Sequence, residues 1–262
     1  MTPSHRMARQ LELLMAEAWP PAETVRLGDW QLRWAWGLTR RANSVLATGQ
    51  PDLELSEAVD AGEAFYAERE LTARFHLSSA TAMPRLHDEL ARRGYRDDAA
   101  TLVEVSGIEA VARVADGAGW DLDEDGEPMD GWWSVYAGLE RGSAPVAGAD
   151  GDLRQRHVST LLRPAAPVVF VTARRDGIAV AVGQGVAQGE WLCIQCMGTL
   201  AAHRRRGAAG AVLATLGRWG AARGCQRAHL AVMRANTTAQ SLYRSAGFRP
   251  VASYSYLVQG DR

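Results

Sequence analysis

A single internal repeat constrains this chain more than any other feature of its sequence. The motif Gly94-Tyr95-Arg96 closes one helix and opens a strand, and Gly247-Phe248-Arg249 does the same near the end of the chain. Glycine suits the left-handed turn that follows a last helical residue. A strand-like stretch precedes each helix, at 73–79 and at 227–233. Because self-similarity of this kind marks one structural unit present twice, the sequence predicts two related units.

The repeat divides the 262 residues into two domains, each of ordinary domain size. We expect the first domain over 1–112 and the second over 132–262. Between them, 113–131 is rich in glycine and acidic residues, which bury too little apolar surface to order themselves strongly. We interpret this segment as a linker or as an excursion from one of the domains. The predicted fold class is α/β with a mixed sheet, built from two related units in tandem.

Charge and cysteine usage exclude several classes of partner. The 29 basic and 30 acidic residues leave a net charge of -1, which provides no field for drawing the chain onto nucleic acid or an anionic membrane. Three cysteines, Cys193, Cys196 and Cys225, are too few for a disulfide framework. The N-terminus is polar and no stretch reaches the length of a membrane span. A cytoplasmic protein is therefore expected.

Alternating and periodic apolar residues outline both units. In the second, three strands at 167–173, 178–186 and 191–199 are predicted to form a meander, with Asp176-Gly177 as a hairpin turn. A helix at 209–223 follows them. In the first unit, the tryptophan-rich strand 30–36 places bulky rings on one side. We interpret those rings as core packing rather than a substrate cage.

The loop between the strand ending near Thr199 and the helix at 209–223 contains the strongest local signal for chemistry. Small residues let a backbone approach a ligand closely, and the free N–H groups at a helix start favour negative charge. The loop lacks both the Gly-Lys-Ser/Thr of nucleotide triphosphatases and the glycine spacing of dinucleotide-binding proteins. We expect a cradle for a diphosphate, made by Arg204, Arg205, Arg206, Gly207, Ala208, Ala209 and Gly210.

The pattern Arg204-x-x-Gly207-x-Ala209 resembles the pyrophosphate-binding motif R/Q-x-x-G-x-G/A of the GNAT N-acetyltransferases. Downstream, Asn236, Leu242-Tyr243 and Gly247-Phe248 are similar to the closing strand-helix-strand element of that family. The resemblance covers the second unit. It implies the acyl-CoA N-acyltransferase fold, acetyl-CoA as co-substrate without a metal, and transfer of the acetyl group to an amine on a small molecule or peptide, by a monomer or a homodimer.

The same resemblance suggests individual roles. The end of the strand at 191–199, particularly Met197 and Thr199, would pair through its main chain with the pantetheine arm of the cofactor, in a gap between this strand and the one at 227–233. Tyr243 would be the general acid toward the sulfur of CoA, although it could simply pack its helix onto the sheet. Asn236 would bind pantetheine or orient a water, and it also suits a helix cap.

The general base is not identified. Family members often have a glutamate on the strand before the loop, but Gln195 stands there in this sequence, and only Glu190 lies at its start. Deprotonation by ordered water, by Glu190, or by a residue lent from the first unit stays open. The pair Cys193 and Cys196 suggests no metal, because residues three apart on a strand point to opposite faces.

The first unit lacks the features that carry the chemistry in the second. Shifting by the offset between the two glycine-aromatic motifs places Leu90 at the position of Tyr243, and the acidic segment Asp52 to Glu57 near the position of the arginine loop. We therefore expect a degenerate copy that does not bind CoA and that helps to shape the acceptor pocket. A non-catalytic acyl-CoA-binding sensor is the alternative function, because it would also lack the strand glutamate.

Overall fold

The structure is a computed structural model that describes residues 3–79, 83–115, 119–140 and 150–259. The elements of the first repeat are α1 (Pro3–Ala18), β1 (Glu23–Leu27), β2 (Trp30–Trp34), β3 (Val45–Ala47), α2 (Leu55–Ala67), β4 (Arg74–Ser78), α3 (Pro84–Arg92) and β5 (Tyr95–Gly107). Those that follow are α4 (Ile108–Ala112), β6 (Asp121–Asp125), α5 (Asp130–Glu140), α6 (Asp150–Leu161), β7 (Val168–Arg175), β8 (Ile178–Gln188), β9 (Trp191–Thr199), α7 (Ala208–Ala221), β10 (Arg227–Met233), α8 (Thr237–Ser245) and β11 (Arg249–Gln259).

The chain forms two compact units that do not follow the order of the sequence. Unit 1 contains Met1–Val103, Val232–Ala235 and Pro250–Arg262, and unit 2 contains Glu104–Ala231 and Asn236–Arg249. The strands β5, β10 and β11 therefore contribute residues to both units. The boundaries expected at 112 and 132 follow the sequence repeat and stay a prediction.

The closing strands of the two repeats are exchanged. β11 follows α8 of the second repeat, yet it pairs antiparallel with β4 in unit 1, where Tyr254 lies opposite Ser78. In the other direction, the end of β5 belongs to unit 2. There, the N–H of Ile108, which directly follows β5, donates to the carbonyl of Gln226, which directly precedes β10, at 3.0 Å. Each repeat thus lends its last strand, in whole or in part, to the unit that the other repeat begins.

In unit 1 the hydrogen-bonded order is β1-β2-β3-β4-β11, with β3 and β4 parallel and the other pairs antiparallel. Its core gathers Trp30, Phe75, Tyr95 and Leu257, all buried. The rings of Trp30 and Phe75 meet edge to face, with centroids 6.1 Å apart. The interpretation of the tryptophan-rich strand as core packing is confirmed for Trp30.

Unit 1 also buries a cluster of ionisable side chains. Arg33 on β2 is 1% exposed and donates from Nη2 to Ser44 Oγ at 2.8 Å. Glu12 on α1 and His76 on β4 lie beside each other, with Oε1 and Nε2 3.8 Å apart. Burial raises the pKa of Glu12 to about 7, against the opposing effects of Ser78, Arg33 and Arg9. Burial likewise lowers the pKa of His76 well below its ordinary value, so the imidazole is neutral.

In unit 2 the order is β10-β9-β8-β7-β6, antiparallel except for β9 with β10. The turn between β7 and β8 has both Asp176 and Gly177 in the left-handed region, at φ 52° and 76°. These angles match a type I′ hairpin turn, which confirms the turn expected from the sequence. The helix α7 packs against β7, β8 and β9 and also against α4.

The acidic segment expected to be a linker contains an ordered strand. β6 pairs antiparallel with β7 over five residues, from Asp121 opposite Arg174 to Asp125 opposite Phe170. Asp123 Oδ2 accepts from Arg174 Nε at 2.6 Å. Cross-strand pairing of opposite charges thus orders a sequence that cannot order itself by apolar burial. Residues 116–118 of this segment lie outside the described residues.

Candidate functional site

The parallel strands β9 and β10 of unit 2 diverge at the end where the predicted site lies. Their register runs from Trp191 opposite Arg227 to Ile194 opposite Leu230. β9 nevertheless continues to Thr199. Main-chain groups beyond the end of a ladder are available to a ligand because every N–H and C=O needs a partner. The gap expected between these two strands is therefore present.

A β-bulge marks the point of divergence. On the side of β8, Gln184 pairs with Gln195 and Val182 pairs with Gly198, so Cys196 and Met197 together oppose one residue. Cys196 has a left-handed φ of 55°. Bulges bend a strand and re-aim its main chain, and they are frequent beside active sites. Met197 therefore lies in a distorted stretch of strand.

Thr199 ends β9 with an unsatisfied hydroxyl. Its Oγ1 is buried and has no hydrogen-bond partner among the described residues. The Thr199 carbonyl accepts from Arg204 Nε at 3.2 Å, which ties the strand end to the loop that follows. A buried polar atom without a partner is unfavourable by about 1–3 kcal/mol unless a ligand or water satisfies it. This hydroxyl is thus suited to a polar ligand that enters the gap.

The loop after β9 has the backbone geometry of an anion site. A short 3-10 turn at Ala201–His203 leads into Arg204, which is extended. Arg205 and Gly207 then have positive φ values of 59° and 90°. Left-handed residues in a turn can direct successive N–H groups toward one concavity, an arrangement that suits anions. All three arginine side chains, Arg204 to Arg206, are exposed.

The start of α7 adds further donors to this concavity. Gly207 is the N-cap residue and supplies no side-chain cap. Main-chain bonding resumes at the Ala211 N–H, which donates to the Gly207 carbonyl at 3.0 Å. The N–H groups of Ala208, Ala209 and Gly210 precede that first helical bond, and a helix start carries partial positive charge. The structure thus brings all seven predicted loop residues into one turn at the start of α7.

Asn236 caps α8, the helix that follows β10. Its side-chain oxygen accepts from the Ala239 N–H at 3.1 Å. The capping interpretation of Asn236 is therefore confirmed, and a role toward pantetheine is an additional prediction. Because α8 begins shortly after the diverging end of β10, this cap lies at the same end of the strand pair as the arginine loop.

Tyr243 is on the second turn of α8. It is 7% exposed, and its ring meets Phe248 edge to face, with centroids 5.8 Å apart. Burial and, to a lesser degree, the charge of Glu104 raise the pKa of the Tyr243 phenol. The phenol therefore stays protonated at neutral pH, which a general acid requires. At this position the Tyr243 ring packs against Phe248, and the phenol keeps the proton that the predicted acid role needs.

Glu104 is the residue that sequence reasoning missed. It lies on β5, is 5% exposed, and its Oε2 has no hydrogen-bond partner among the described residues. Burial raises the pKa of Glu104, with Arg244 and Arg249 opposing. Two residues along, Ser106 donates to the Ala246 carbonyl of α8 at 2.8 Å. Ser106 and Glu104 share a strand face, which explains why Glu104 acts on Tyr243, three residues before Ala246.

Two other predicted positions are not brought to this group. Glu190 lies in the exposed turn before β9, where its carbonyl accepts from the Gln226 and Arg227 N–H groups. At about 3.3 Å per residue, the far end of β9 at Thr199 is roughly 30 Å away. Gln195 is buried and donates from Nε2 to Gln184 Oε1 at 3.0 Å. Its amide therefore belongs to the interior of the sheet.

The cysteines and histidine near the loop show no catalytic arrangement. Cys193 is buried, Cys196 is half-buried, and neither forms a disulfide. Within the described ranges, no group of three or more His, Cys, Asp or Glu residues is placed to hold a metal ion. His203 is half-buried at the end of the 3-10 turn. Among the helices the structure describes, none has the length and apolarity to cross a bilayer.

Diverging parallel strands, a bulge, an arginine-rich turn and a closing tyrosine helix form the arrangement that the resemblance to the GNAT acyltransferases predicts. Comparison with known proteins agrees with that assignment. The family described as "Probable histone acetyltransferase Rv0428c C-terminal" matches residues 7–257, nearly the whole chain. The chain belongs to this family, within the GNAT N-acetyltransferases.

Individual relatives extend over both units. An uncharacterized N-acetyltransferase, YobR of Bacillus subtilis (strain 168), is 27% identical over 252 residues, which cover 96% of this chain and 98% of YobR. A GCN5-related N-acetyltransferase from Kribbella flavida superposes with a TM-score of 0.69 at 18% identity, covering 100% and 97%. A tandem GNAT protein from the clavulanic acid biosynthesis pathway gives 0.61 at 11% identity, covering 79% and 70%.

Proposed function

We propose that this chain transfers the acetyl group of acetyl-CoA to the amine of a small molecule or peptide. The observation that carries the proposal is the turn from Arg204 to Gly210 beside the diverging strands. Its N–H groups, helix start and arginines suit a diphosphate. The unsatisfied Thr199 hydroxyl and the main chain of Met197 suit the amide-rich arm that CoA carries.

In this proposal the protein chiefly positions its substrates. Acetyl-CoA supplies an activated thioester, and the amine attacks it in its neutral form. Tyr243 donates its phenolic proton to the departing sulfur. The phenol carries its proton at neutral pH, as a general acid must, and the role rests on the position of Tyr243 in the closing helix, because a raised pKa makes the phenol a weaker proton donor. Asn236 holds the start of α8 and so fixes where Tyr243 lies.

Glu104 is proposed as a positioning residue for this acid. Burial first, and the charge of Glu104 second, raise the pKa of Tyr243 and keep the phenol in its protonated form. The carboxylate comes from the strand that the first repeat lends to unit 2. Glu104 acts on the acid rather than on the amine, so the general base stays unassigned. Glu190 is too remote to be proposed as the base.

Two measurements test the proposal together. Calorimetric titration of CoA against the full chain measures the affinity for CoA, to which the proposed diphosphate site contributes. Release of free thiol from acetyl-CoA, in the presence of a panel of amines, reports transfer. We expect binding and amine-dependent thiol release. Binding without transfer to any amine would favour the alternative, an acyl-CoA-binding sensor, and absence of CoA binding would remove both functions.

A further inference from the structure

Unit 1 contains a cavity that the proposed acetyl transfer does not use. Its volume is about 470 Å³, within the range of pockets that hold small ligands. Its lining includes Ser78, Met83, His87, Asp97, Tyr254 and Leu257. All of these belong to unit 1. The space is large enough for a molecule the size of an amino acid or a dipeptide.

The end of the β4–β11 ladder forms a rigid wall of this cavity. Beyond the pair Ser78 and Tyr254, the Ser79 N–H donates to the Ser253 carbonyl at 2.8 Å, and the Ser253 N–H donates to Ser79 Oγ at 3.1 Å. The Tyr254 ring stacks on His76, with centroids 4.2 Å apart. A wall fixed by ladder bonds and ring stacking keeps its shape without a ligand, which favours binding.

A carboxylate with spare acceptor capacity faces this space. Asp97 Oδ1 accepts from Ser255 Oγ at 2.5 Å. Asp97 Oδ2 lies 4.0 Å from His87 Nε2, beyond hydrogen-bond distance. An ionised carboxylate has about four acceptor positions, so an ammonium group can be added to this arrangement. The neighbouring Ser255 hydroxyl and His87 imidazole are placed to receive hydrogen bonds from the other N–H groups of that ammonium.

The remaining lining limits what the ammonium can be attached to. Leu77, Met83 and Leu257 supply apolar surface for a hydrocarbon side chain. Arg234 also lines the cavity, and a guanidinium suits a carboxylate through paired hydrogen bonds. One carboxylate, one guanidinium and an apolar wall therefore match a small zwitterion.

We propose that this cavity is a binding site for an amino-acid-like zwitterion, with its ammonium on Asp97, its carboxylate on Arg234 and an apolar side chain against Met83 and Leu257. Nothing in this proposal requires acetyl transfer. The cavity lies in unit 1, which lacks the arginine-rich turn of unit 2.

The test is calorimetric titration of the full chain, without acetyl-CoA, using L-leucine as the probe. Isopentylamine and 4-methylpentanoate serve as analogues that each lack one charge. We expect L-leucine to bind at least about tenfold more tightly than either analogue, because each lost charge-assisted bond weakens affinity about tenfold or more. No binding of L-leucine, or equal binding of the amine alone, would overturn the proposal.

Variants locate the site on the molecule. Asp97→Asn is expected to weaken binding of L-leucine about tenfold or more. Asp98→Asn is the matched control, because Asp98 pairs with Arg40 at 2.9 Å and does not line the cavity. Met83→Trp fills the cavity with the charges intact and should abolish binding. Circular dichroism establishes that each variant is folded. Undiminished binding in folded Asp97→Asn and Met83→Trp proteins would place the ligand elsewhere and overturn the proposal.

Discussion

Each unit has a loop between a parallel strand and a helix, and only the loop of unit 2 is shaped to hold a phosphate. In unit 2, Arg204 to Gly207 combine formal positive charge with left-handed backbone. In unit 1 the equivalent loop, at 48–54 between β3 and α2, contains no arginine and includes Asp52 and Glu54. The two loops occupy the same position in the repeat, but the loop of unit 2 is basic and the loop of unit 1 is acidic.

The loop of unit 1 at 48–54 is already hydrogen-bonded to a carboxylate of the same unit. Asp29, in the turn between β1 and β2, accepts the Gln50 N–H on Oδ2 at 3.2 Å. Its main chain also bonds the loop, because the Asp29 carbonyl accepts from Thr48 Oγ1 at 2.7 Å. The neighbouring Gly28 approaches so closely that an added Cβ would lie 2.6 Å from the Asp52 nitrogen. The turn therefore covers the place where a phosphate would enter.

The start of the helix differs in the same sense. Glu57 lies in the first turn of α2, where an acidic side chain offsets the helix dipole. The first turn of α7 contains no acidic residue, so its partial positive charge is left for a ligand. A duplicated loop therefore does not form a phosphate site when carboxylates of its own unit already satisfy the groups that would bind the phosphate.

Removing the phenol of Tyr243 is the largest expected change. Tyr243→Phe should lower kcat about 10²- to 10⁴-fold, the usual contribution of a positioned acid, and leave CoA affinity nearly unchanged. Steady-state thiol release measures it. Tyr95→Phe is the control in unit 1, where the Tyr95 hydroxyl donates to Glu63 Oε1 at 2.9 Å. If Tyr243→Phe retains full kcat, the tyrosine serves packing alone.

The buried carboxyl of Glu12 should make unit 1 sensitive to pH. Its pKa rises from 4.5 to about 7 on folding, so its contribution to stability is full below pH ~4.5 and falls by about 3 kcal/mol as pH rises through ~7. His76, with its lowered pKa, gives the opposite slope below pH ~6.5. Glu12→Gln isolates the carboxyl: the free energy of unfolding of the variant minus that of the wild type, from urea titrations, should grow across this window. A pH-independent difference would contradict the prediction.

Substituting the left-handed cap of α7 tests the cradle. Gly207→Val forces a β-branched residue to φ 90°, a strain of about 1–3 kcal/mol, and should weaken CoA binding roughly tenfold to a hundredfold. Gly94→Val, at φ 84° with open space around its Cβ, is the matched control in unit 1. It should lower the melting temperature and leave CoA affinity unchanged. Equal losses of affinity in both variants would show a general effect of instability.

The smallest expected effect concerns a single arginine. Arg205→Gln should weaken CoA binding by about 1 kcal/mol, because an exposed charge is screened by water and salt. The loss should shrink at high salt in calorimetric titrations. Arg113→Gln is the control, since Arg113 is also exposed in unit 2 and pairs only weakly with Glu109 at 3.6 Å. A salt-independent loss would point to a packing role for Arg205.

Local sequence patterns predicted much of this structure. Apolar patterning and the internal repeat predicted the bounds of β9 and β10, and composition drew attention to the arginine loop. Asn236 could be predicted as a cap because the side-chain chemistry that caps a helix acts within three residues. Signals of this kind are contained in a few consecutive positions.

The exchange of β5 and β11 could not be predicted in this way. Both strands follow the same glycine-aromatic motif, so either could pair with β4 as far as local pattern is concerned. Partner choice depends on contacts far apart in sequence, such as Tyr256 opposite His76. Glu104 was missed for the same reason, because its importance arises only when β5 lies beside α8. The acidic strand β6 was missed because its order depends on β7.

The exchanged strand has a consequence for how the protein is made. Unit 1 cannot complete its sheet until β11, at Arg249–Gln259, has left the ribosome. Nearly the entire polypeptide must therefore be synthesised before β4 gains its neighbour, and until then an unpaired edge is open to association with other nascent chains. Premature termination before β11 should therefore leave the sheet of unit 1 incomplete.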